Sequence, residues 1–130
     1  MIQDKAKVII IGGGVIGCSV AYHLSKLGWN DIVLLERKQL TSGTTWHAAG
    51  LIGQLRASAN MTKLAKYTQE LYFDLEKETG VSTGFKRVGS ISVALTNERM
   101  EELKRSAAMA RAFGVDAVSY THLRAHETKR

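Results

Sequence analysis

The chain has 130 residues, of which 45% are hydrophobic and 23% charged, and its net charge is +6, from 18 Lys and Arg against 12 Asp and Glu. This length and composition predict one globular domain and exclude intrinsic disorder. The basic side chains are scattered among acidic ones and form no stripe with interleaved aromatic rings, which excludes a nucleic-acid partner. No apolar run reaches the roughly 20 residues of a membrane span, so we expect no membrane partner.

The first 20 residues could be mistaken for a secretory leader, which bears on the cellular location of the protein. Basic residues precede the apolar run of residues 8–20, and the stretch that ends at Cys18 resembles a lipoprotein cleavage site. Three consecutive glycines interrupt this run, and glycine is unfavourable in the helix that a secretory leader forms. Cys18 is the single cysteine, so no internal disulfide requires an oxidising compartment. We therefore expect a cytoplasmic location.

The first 36 residues predict a strand, a helix and a second strand. Residues 7–11 form a β-branched run, which is typical of a strand buried on both faces. A helix follows from Gly14 and ends at Gly28, and its apolar face consists of Ile16, Val20, Leu24 and Leu27. Residues 32–35 predict the second strand. Two parallel strands joined by a helix form a βαβ unit, whose crossover is right-handed.

The segment after this unit changes in composition. Residues 38–60 are rich in Thr, Ser, Gly and Ala and predict a loop. A second helix is expected over residues 61–79, with Asn60 as its N-cap and Gly80 as its end. Its apolar stripe consists of Met61, Leu64, Ala65, Leu71, Tyr72 and Leu75.

The last predicted elements are a hairpin and a third helix. Residues 85–88 and 91–95 are apolar runs on either side of a two-residue Gly-Ser turn, a pattern that predicts a β-hairpin. Thr96 is expected to cap a third helix, which ends at Gly114.

Residues 12–17 match the pattern G-x-G-x-x-G between the first strand and the first helix. Gly12 permits a tight turn out of the strand, Gly14 lets a pyrophosphate approach the backbone, and Gly17 lets the helix pack closely on the sheet. The N–H groups at the helix start then face the phosphates. The predicted cofactor-binding residues of this segment are Gly12, Gly13, Gly14, Val15, Ile16 and Gly17.

An acidic residue follows the glycine motif at the spacing expected of a ribose-binding carboxylate. Glu36 ends the second strand, 19 residues after Gly17, as a carboxylate that binds the adenosine ribose should. A carboxylate at this position disfavours a 2′-phosphate and therefore NADP, which leaves NAD and FAD. The predicted fold class is α/β, with a Rossmann-like FAD/NAD(P)-binding βαβ unit, additional helices and a β-hairpin, and the fold is incomplete.

The segment that follows carries a more specific signal. Residues 36–51 read E-R-K-Q-L-T-S-G-T-T-W-H-A-A-G-L. This string resembles the region after the second strand in the flavin-dependent amine oxidoreductases of the D-amino-acid oxidase superfamily, above all in the dimethylglycine dehydrogenase and sarcosine dehydrogenase group. The resemblance runs from about residue 7 to about residue 116. An ordinary NAD-linked dehydrogenase does not explain residues 44–50.

The resemblance implies roles for individual residues. His47 matches the residue that carries FAD covalently; the alternative is a histidine bonded to nearby backbone. Ser42, Thr44 and Thr45 are implied donors to phosphate or ribitol, whereas ordinary loop residues of these types bond their own backbone. The remaining implied cofactor-binding residues are Arg37, near the adenosine, Gly50, near the flavin ring, and Leu51.

The resemblance also implies a reaction. FAD-dependent members oxidise the CH–NH bond of an N-methyl group in a small secondary or tertiary amine such as dimethylglycine or sarcosine. The implied partners are the amine and an electron acceptor that the sequence does not identify. Two alternatives remain open: a 4-methylaminobutanoate-type oxidase, and a non-catalytic flavoprotein resembling the pyruvate dehydrogenase phosphatase regulatory subunit. A folate-binding domain is an expectation for the full-length parent only.

Members of this family use several hundred residues, so residues 1–117 are expected to be the N-terminal part of an oxidoreductase domain, inactive alone and without catalytic residues. Residues 118–130 resemble translated sequencing-adapter read-through, and we expect this tail to be non-native. His122 and His126 within it have the i, i+4 spacing of metal ligands on a helix, but no third ligand completes a site, so no metal is expected.

Overall fold

A computed structural model of the chain describes residues 5–120. The elements in chain order are β1 (Val8–Ile11), α1 (Val15–Lys26), β2 (Ile32–Leu35), a 3₁₀ turn (Thr44–His47), α2 (Ala59–Thr79) and α3 (Asn97–Ala112). The chain forms two compact units that divide between Leu51 and Ile52. Residues 121–130, which include His122 and His126, lie outside the described residues. The expectations that the tail is non-native and that these histidines bind no metal therefore stay predictions.

The first unit contains the predicted βαβ arrangement. The strands β1 and β2 are parallel neighbours, in a register that pairs Val8 with Ile32 and Ile11 with Leu35. The Gly12 N–H donates to the Leu35 carbonyl at 2.8 Å, which extends the pairing one residue beyond β1. The strand, helix and strand confirm the α/β class, and they bring the carboxyl ends of both strands to one edge.

The helix α1 has the predicted length, but most of its apolar face is exposed. It ends as expected, because Gly28 adopts a φ of +85° directly after the last turn. On its apolar face, Leu24 is half-buried, whereas Ile16, Val20 and Leu27 are exposed. The sheet has two strands within the described residues and covers only part of this face.

The start of α2 differs from the prediction. Ser58, not Asn60, is the N-cap, and its Oγ accepts the Met61 N–H at 3.3 Å, while Asn60 lies in the first turn. Both residue types are good caps, and a buried contact decides between them. The Oγ1 of the fully buried Thr62 accepts the Arg56 N–H at 3.0 Å and donates to the Arg56 carbonyl at 3.2 Å, which holds the incoming chain against the first turn. The end at Gly80, with φ of +70°, is as predicted.

The predicted β-hairpin is wrong. Within the described residues, neither 85–88 nor 91–95 is a strand. The apolar side chains that would form its covered face, Val88, Ile91, Val93 and Leu95, are all exposed, and a two-stranded hairpin without cover is marginal in water. Side chains hold the start of this segment on α2 instead: the Arg87 guanidinium lies 4.6 Å from the centroid of the Phe73 ring, and the Phe85 and Tyr72 rings meet edge to face at 6.3 Å.

The helix α3 follows the prediction at both ends. The Oγ1 of Thr96 accepts the Arg99 N–H at 3.2 Å, and Gly114 adopts a φ of +68° after the last turn. Ala110 is buried, and the Lys66 ammonium of α2 donates to the Gly114 carbonyl at 2.6 Å. No helix between residues 5 and 120 combines the length and apolar character that crossing a membrane requires.

Candidate cofactor-binding site

A cleft of about 620 Å³ opens at the carboxyl ends of β1 and β2, in the first unit. It brings together ten of the residues predicted from the sequence, namely Gly12, Gly14, Val15, Ile16, Gly17, Glu36, Arg37, Ser42, Thr44 and Thr45. Ligands bind at this edge of parallel sheets in α/β folds. The fold therefore places the glycine motif and the acidic residue around one cavity.

Two glycines of the motif are required by backbone geometry. Gly12 has a φ of +107°, a conformation that residues with a side chain rarely adopt. A Cβ atom on Gly17 would overlap the carbonyl oxygen of Gly12 and contact the Ile10 side chain. Close packing of α1 on β1 therefore depends on Gly17, as predicted from the motif.

The third motif glycine faces a side chain from a later loop. A Cβ atom on Gly14 would lie 3.0 Å from the Oγ1 of Thr45. That hydroxyl oxygen accepts the Val15 N–H at 2.9 Å, at the start of α1. The space that Gly14 leaves open thus holds the Thr45 hydroxyl next to the helix N–H groups that the sequence assigned to phosphate.

Glu36 is fixed by two backbone donors. Its carboxylate accepts the Gly13 N–H at 2.8 Å and the Lys38 N–H at 2.9 Å. The hydrogen bond from Gly13, followed by that from Lys38, holds the pKa of this carboxyl below its usual range. Glu36 is therefore ionised at neutral pH. A carboxylate has about four acceptor positions, so two remain for the hydroxyl groups of a ribose.

Gly13 connects the glycine motif to the loop after β2. It is buried, its N–H donates to Glu36, and its carbonyl accepts the Thr41 N–H at 2.8 Å. The Cys18 thiol donates to the same carbonyl at 3.5 Å. A Cβ atom on Gly13 would meet the side chain of Leu40. Sequence reasoning included Gly13 as a cofactor contact and missed Thr41 and Leu40, for which no local pattern exists.

His47 lies at the end of the 3₁₀ turn and is exposed. Its Nδ1 lies 3.0 Å from the Gly43 carbonyl oxygen. A carbonyl only accepts, so Nδ1 carries the proton, and in neutral imidazole Nε2 then keeps its lone pair. The backbone bond expected of an ordinary loop histidine is present, and the geometry leaves Nε2 chemically competent. His47 is not among the residues that line the cleft.

Two further residues predicted to bind the cofactor lie outside the cleft. Gly50 and Leu51 are exposed and do not line the cleft, so the position of Gly50 near the flavin ring and the cofactor contact of Leu51 stay predictions. Within residues 5–120, no group of three or more His, Cys, Asp or Glu side chains could hold a metal ion. The cleft also has lining residues that sequence reasoning missed, namely Ile10, Ile11, Val20, Lys38, Gly43 and Ala48. Ile10 and Ile11 could have been predicted to line the cleft, because they lie at the carboxyl end of β1.

The residues of the cleft fit a dinucleotide. The first turn of α1 contains no acidic side chain that would repel a pyrophosphate. Gly17 lets α1 pack closely on β1, so that the start of the helix lines the cleft, and Glu36 offers an ionised acceptor at the ribose position. Exposed Ile11 and Ile16 give the cleft apolar walls. This donor and acceptor set suits the adenosine and pyrophosphate half of FAD.

Comparison with known proteins agrees with this fit. Residues 7–130 match the family described as FAD dependent oxidoreductase. The chain is 52% identical over 101 residues (78% of the chain) to the mouse mitochondrial pyruvate dehydrogenase phosphatase regulatory subunit. It is 46% identical over 117 residues (89%) to human mitochondrial sarcosine dehydrogenase and 49% identical over 102 residues (78%) to rat mitochondrial dimethylglycine dehydrogenase.

The chain spans 12% to 13% of the length of these three relatives. The matched residues include the βαβ unit, the glycine motif and the loop that carries His47. The family and the α/β class predicted from the sequence are confirmed. The chain belongs to the family of FAD-dependent oxidoreductases.

Proposed function

We propose that the protein carrying this chain is an FAD-dependent oxidoreductase that oxidises the CH–NH bond of an N-methyl group in a small amine. The observation that carries the proposal is the cleft at the ends of β1 and β2, where Glu36 and the start of α1 face one cavity. The identity of the chain to sarcosine and dimethylglycine dehydrogenases, 46% and 49%, supports the substrate class.

In this proposal the chain's own residues hold the adenosine end of the cofactor. The N–H groups of the first turn of α1, apart from that of Val15, which donates to Thr45, bind the pyrophosphate, because they lack intrahelical partners and carry the positive end of the helix dipole. Glu36 accepts hydrogen bonds from the ribose. Bound FAD supplies the acceptor for the two electrons and the hydrogen that leave the N-methyl carbon. The resulting iminium ion hydrolyses to the demethylated amine and formaldehyde, or its one-carbon unit passes to folate.

Dimethylglycine and sarcosine are the proposed substrates, and 4-methylaminobutanoate is the alternative within the same chemistry. The cytoplasm is the proposed location. A different function is favoured by the 52% identity to a phosphatase regulatory subunit: a flavoprotein that binds FAD without turning over an amine. Both proposals require the same cofactor cleft, so a measurement of flavin reduction separates them.

We expect the full-length polypeptide to be purified with FAD and to lose the visible flavin absorbance anaerobically when an N-methyl amine is added. Sarcosine, dimethylglycine and 4-methylaminobutanoate are compared, with glycine as the matched control because it lacks the N-methyl carbon. Bound flavin that none of these amines reduces would favour the non-catalytic function. A protein that binds no FAD would contradict both.

We further propose that FAD is attached covalently to His47. The bond forms from the lone pair of Nε2 to the carbon of a flavin ring methyl group and replaces one C–H bond of that methyl. The proton goes to solvent and the C–H electron pair enters the flavin ring, which molecular oxygen then re-oxidises. The hydrogen bond from Nδ1 to the Gly43 carbonyl supports this assignment because, in the neutral imidazole, it places the proton on Nδ1 and leaves the lone pair on Nε2.

His47→Ala is expected to remove covalent flavin completely. In the unaltered protein, the yellow colour should stay with the polypeptide after acid precipitation, and in the variant it should remain in the supernatant. His23→Ala is the matched control, because His23 lies on α1 with its Nδ1 at 2.7 Å from the Ser19 carbonyl oxygen. Acid-stable flavin in the His47 variant would assign the attachment to another residue.

A further inference from the structure

We propose that Thr45 is a positioning residue for His47. Its hydroxyl ties the 3₁₀ turn that carries His47 to the first turn of α1. The N–H groups that face the pyrophosphate and the imidazole that bonds the flavin are then held as one unit. This inference rests on the proposed covalent attachment at His47 and adds a second residue on which the attachment depends.

The first support is the contact itself. The Thr45 Oγ1 accepts the Val15 N–H at 2.9 Å, across 30 residues of chain. Thr45 is half-buried, whereas its neighbours Thr44, Trp46 and His47 are exposed. A hydroxyl keeps one donor and a second lone pair after accepting one hydrogen bond. Thr45 can therefore hold α1 and donate to a phosphate oxygen at the same time.

The second support is that α1 has no cap of its own. Its N-cap residue is Gly14, which has no side chain to accept a helix N–H. A Cβ atom on this residue would lie only 3.0 Å from the Thr45 Oγ1. The glycine therefore opens the space through which the threonine of the later loop caps the helix.

The third support is that hydrogen bonds within the 3₁₀ turn hold the imidazole on it. The Ala48 N–H donates to the Thr45 carbonyl at 3.2 Å, and the His47 Nδ1 donates to the Gly43 carbonyl at 3.0 Å. The other end of the loop is also attached to the glycine motif, through the Thr41 N–H and the Gly13 carbonyl. Without the Thr45 hydroxyl, the turn keeps the hydrogen bonds from the Trp46 N–H to the Thr41 and Gly43 carbonyls but loses its direct tie to α1.

The contact between Thr45 and Val15 is exposed, so water can satisfy the Val15 N–H when the hydroxyl is removed. The loss of folding stability should therefore be small, and the main consequence should be the position of His47. Covalent attachment requires Nε2 to meet the flavin methyl group in a defined geometry, and reaction rates depend strongly on such placement. Non-covalent FAD binding depends on the whole cleft and should change less.

The test compares Thr45→Val with Thr45→Ser in the full-length polypeptide. Valine has nearly the same shape without the hydroxyl, and serine restores the hydroxyl without the methyl group. FAD is added to apoprotein, and total bound flavin and acid-stable flavin are followed with time. Thr68→Val on α2 is the matched control for the same chemical change, since its Oγ1 donates only to the Leu64 carbonyl one turn earlier.

We expect Thr45→Val to slow covalent attachment on the order of tenfold, as the loss of one well-placed hydrogen bond predicts. Total FAD binding should fall by a smaller factor than the attachment rate per bound FAD, because Thr45 is one of several donors in the cleft, and Thr45→Ser should attach flavin at nearly the unaltered rate. The rate is expressed per bound FAD, so a smaller yield of folded protein does not alter it. If Thr45→Val yields no soluble protein, Thr45→Ala makes the same comparison with serine.

Three results would overturn the inference in distinguishable ways. An unchanged attachment rate in Thr45→Val, with acid-stable flavin in the unaltered protein, refutes the role of Thr45 and leaves His47 as the attachment residue. Bound but entirely acid-labile flavin in the unaltered protein refutes covalent attachment and the role of Thr45 together, while the FAD-dependent activity stands. Equal slowing in the valine and serine variants also refutes the role of the hydroxyl.

Discussion

Gly17→Ala is expected to weaken FAD binding by at least on the order of a hundredfold. The added methyl group would overlap the Gly12 carbonyl oxygen, and a backbone atom cannot move aside as a flexible side chain can. The helix α1 must shift away from β1, at a cost of about 3 kcal/mol, the upper part of the usual range for overpacking. A shift of that size also displaces the N–H groups that face the pyrophosphate, so affinity falls with stability.

Calorimetric titration of the apoprotein with FAD, carried out in a His47→Ala background that cannot form the covalent bond, measures the effect of Gly17→Ala. The matched control is Gly53→Ala, because a Cβ atom there would meet the Arg56 Nη1 at 3.6 Å, an ordinary contact. The control should bind FAD as the unaltered protein does. Undiminished affinity in Gly17→Ala would mean that FAD binding does not need the close approach of α1 to β1.

Glu36→Ala is expected to lower FAD affinity on the order of tenfold or more, since a charged acceptor at the ribose is lost. The substitution also removes the partner of the buried Gly13 N–H. Glu36→Gln keeps the shape and one acceptor oxygen but loses the charge, so its affinity should be intermediate. Equal affinity in all three proteins would show that Glu36 does not contact the cofactor.

The same residue predicts a dependence of stability on pH. The two backbone hydrogen bonds lower the pKa of Glu36 in the folded protein from its ordinary value of 4.5. A lowered folded pKa contributes stability that is present above the unfolded value and is lost as the pH falls through the folded value. Denaturant unfolding between pH 7 and pH 3 should therefore show a steeper acid loss in the unaltered protein than in Glu36→Gln. Parallel curves would contradict the pKa shift.

Local patterns predicted the elements whose causes are local. The β-branched run of β1, the cap at Thr96 and the end at Gly80 all depend on residues within one turn or strand. The cap at Ser58 was missed because the buried contact between Thr62 and Arg56 selects it over Asn60. The hairpin was wrongly predicted because alternating apolar residues indicate a strand only where something covers them.

The site residues, like the helices and strands, divide into those that local sequence patterns predict and those that depend on distant contacts. Gly12, Gly17 and Glu36 could be assigned from spacing, because each answers a fixed requirement of a strand–turn–helix unit. The contacts of Glu36 and Thr45 with the glycine motif join residues 23 and 30 positions apart. No periodicity encodes such pairs, so the capping of α1 by Thr45 and the packing of Leu40 on Gly13 emerged only from the folded chain.

Gly13 occupies a position that the motif formally leaves unspecified, yet its contacts with Glu36, Leu40 and Thr41 leave no room for another side chain. The glycine motif and residues 36–41 are consequently one transplantable module. To transfer the motif to another βαβ scaffold, residues 36–41 must be transferred with it. Otherwise the residue at the position of Gly13 must be redesigned to fit the loop of that scaffold. In proteins where these two segments pack together in this way, residues of the glycine motif and of the loop should vary together. Such covariation should identify these proteins better than identity within either segment does.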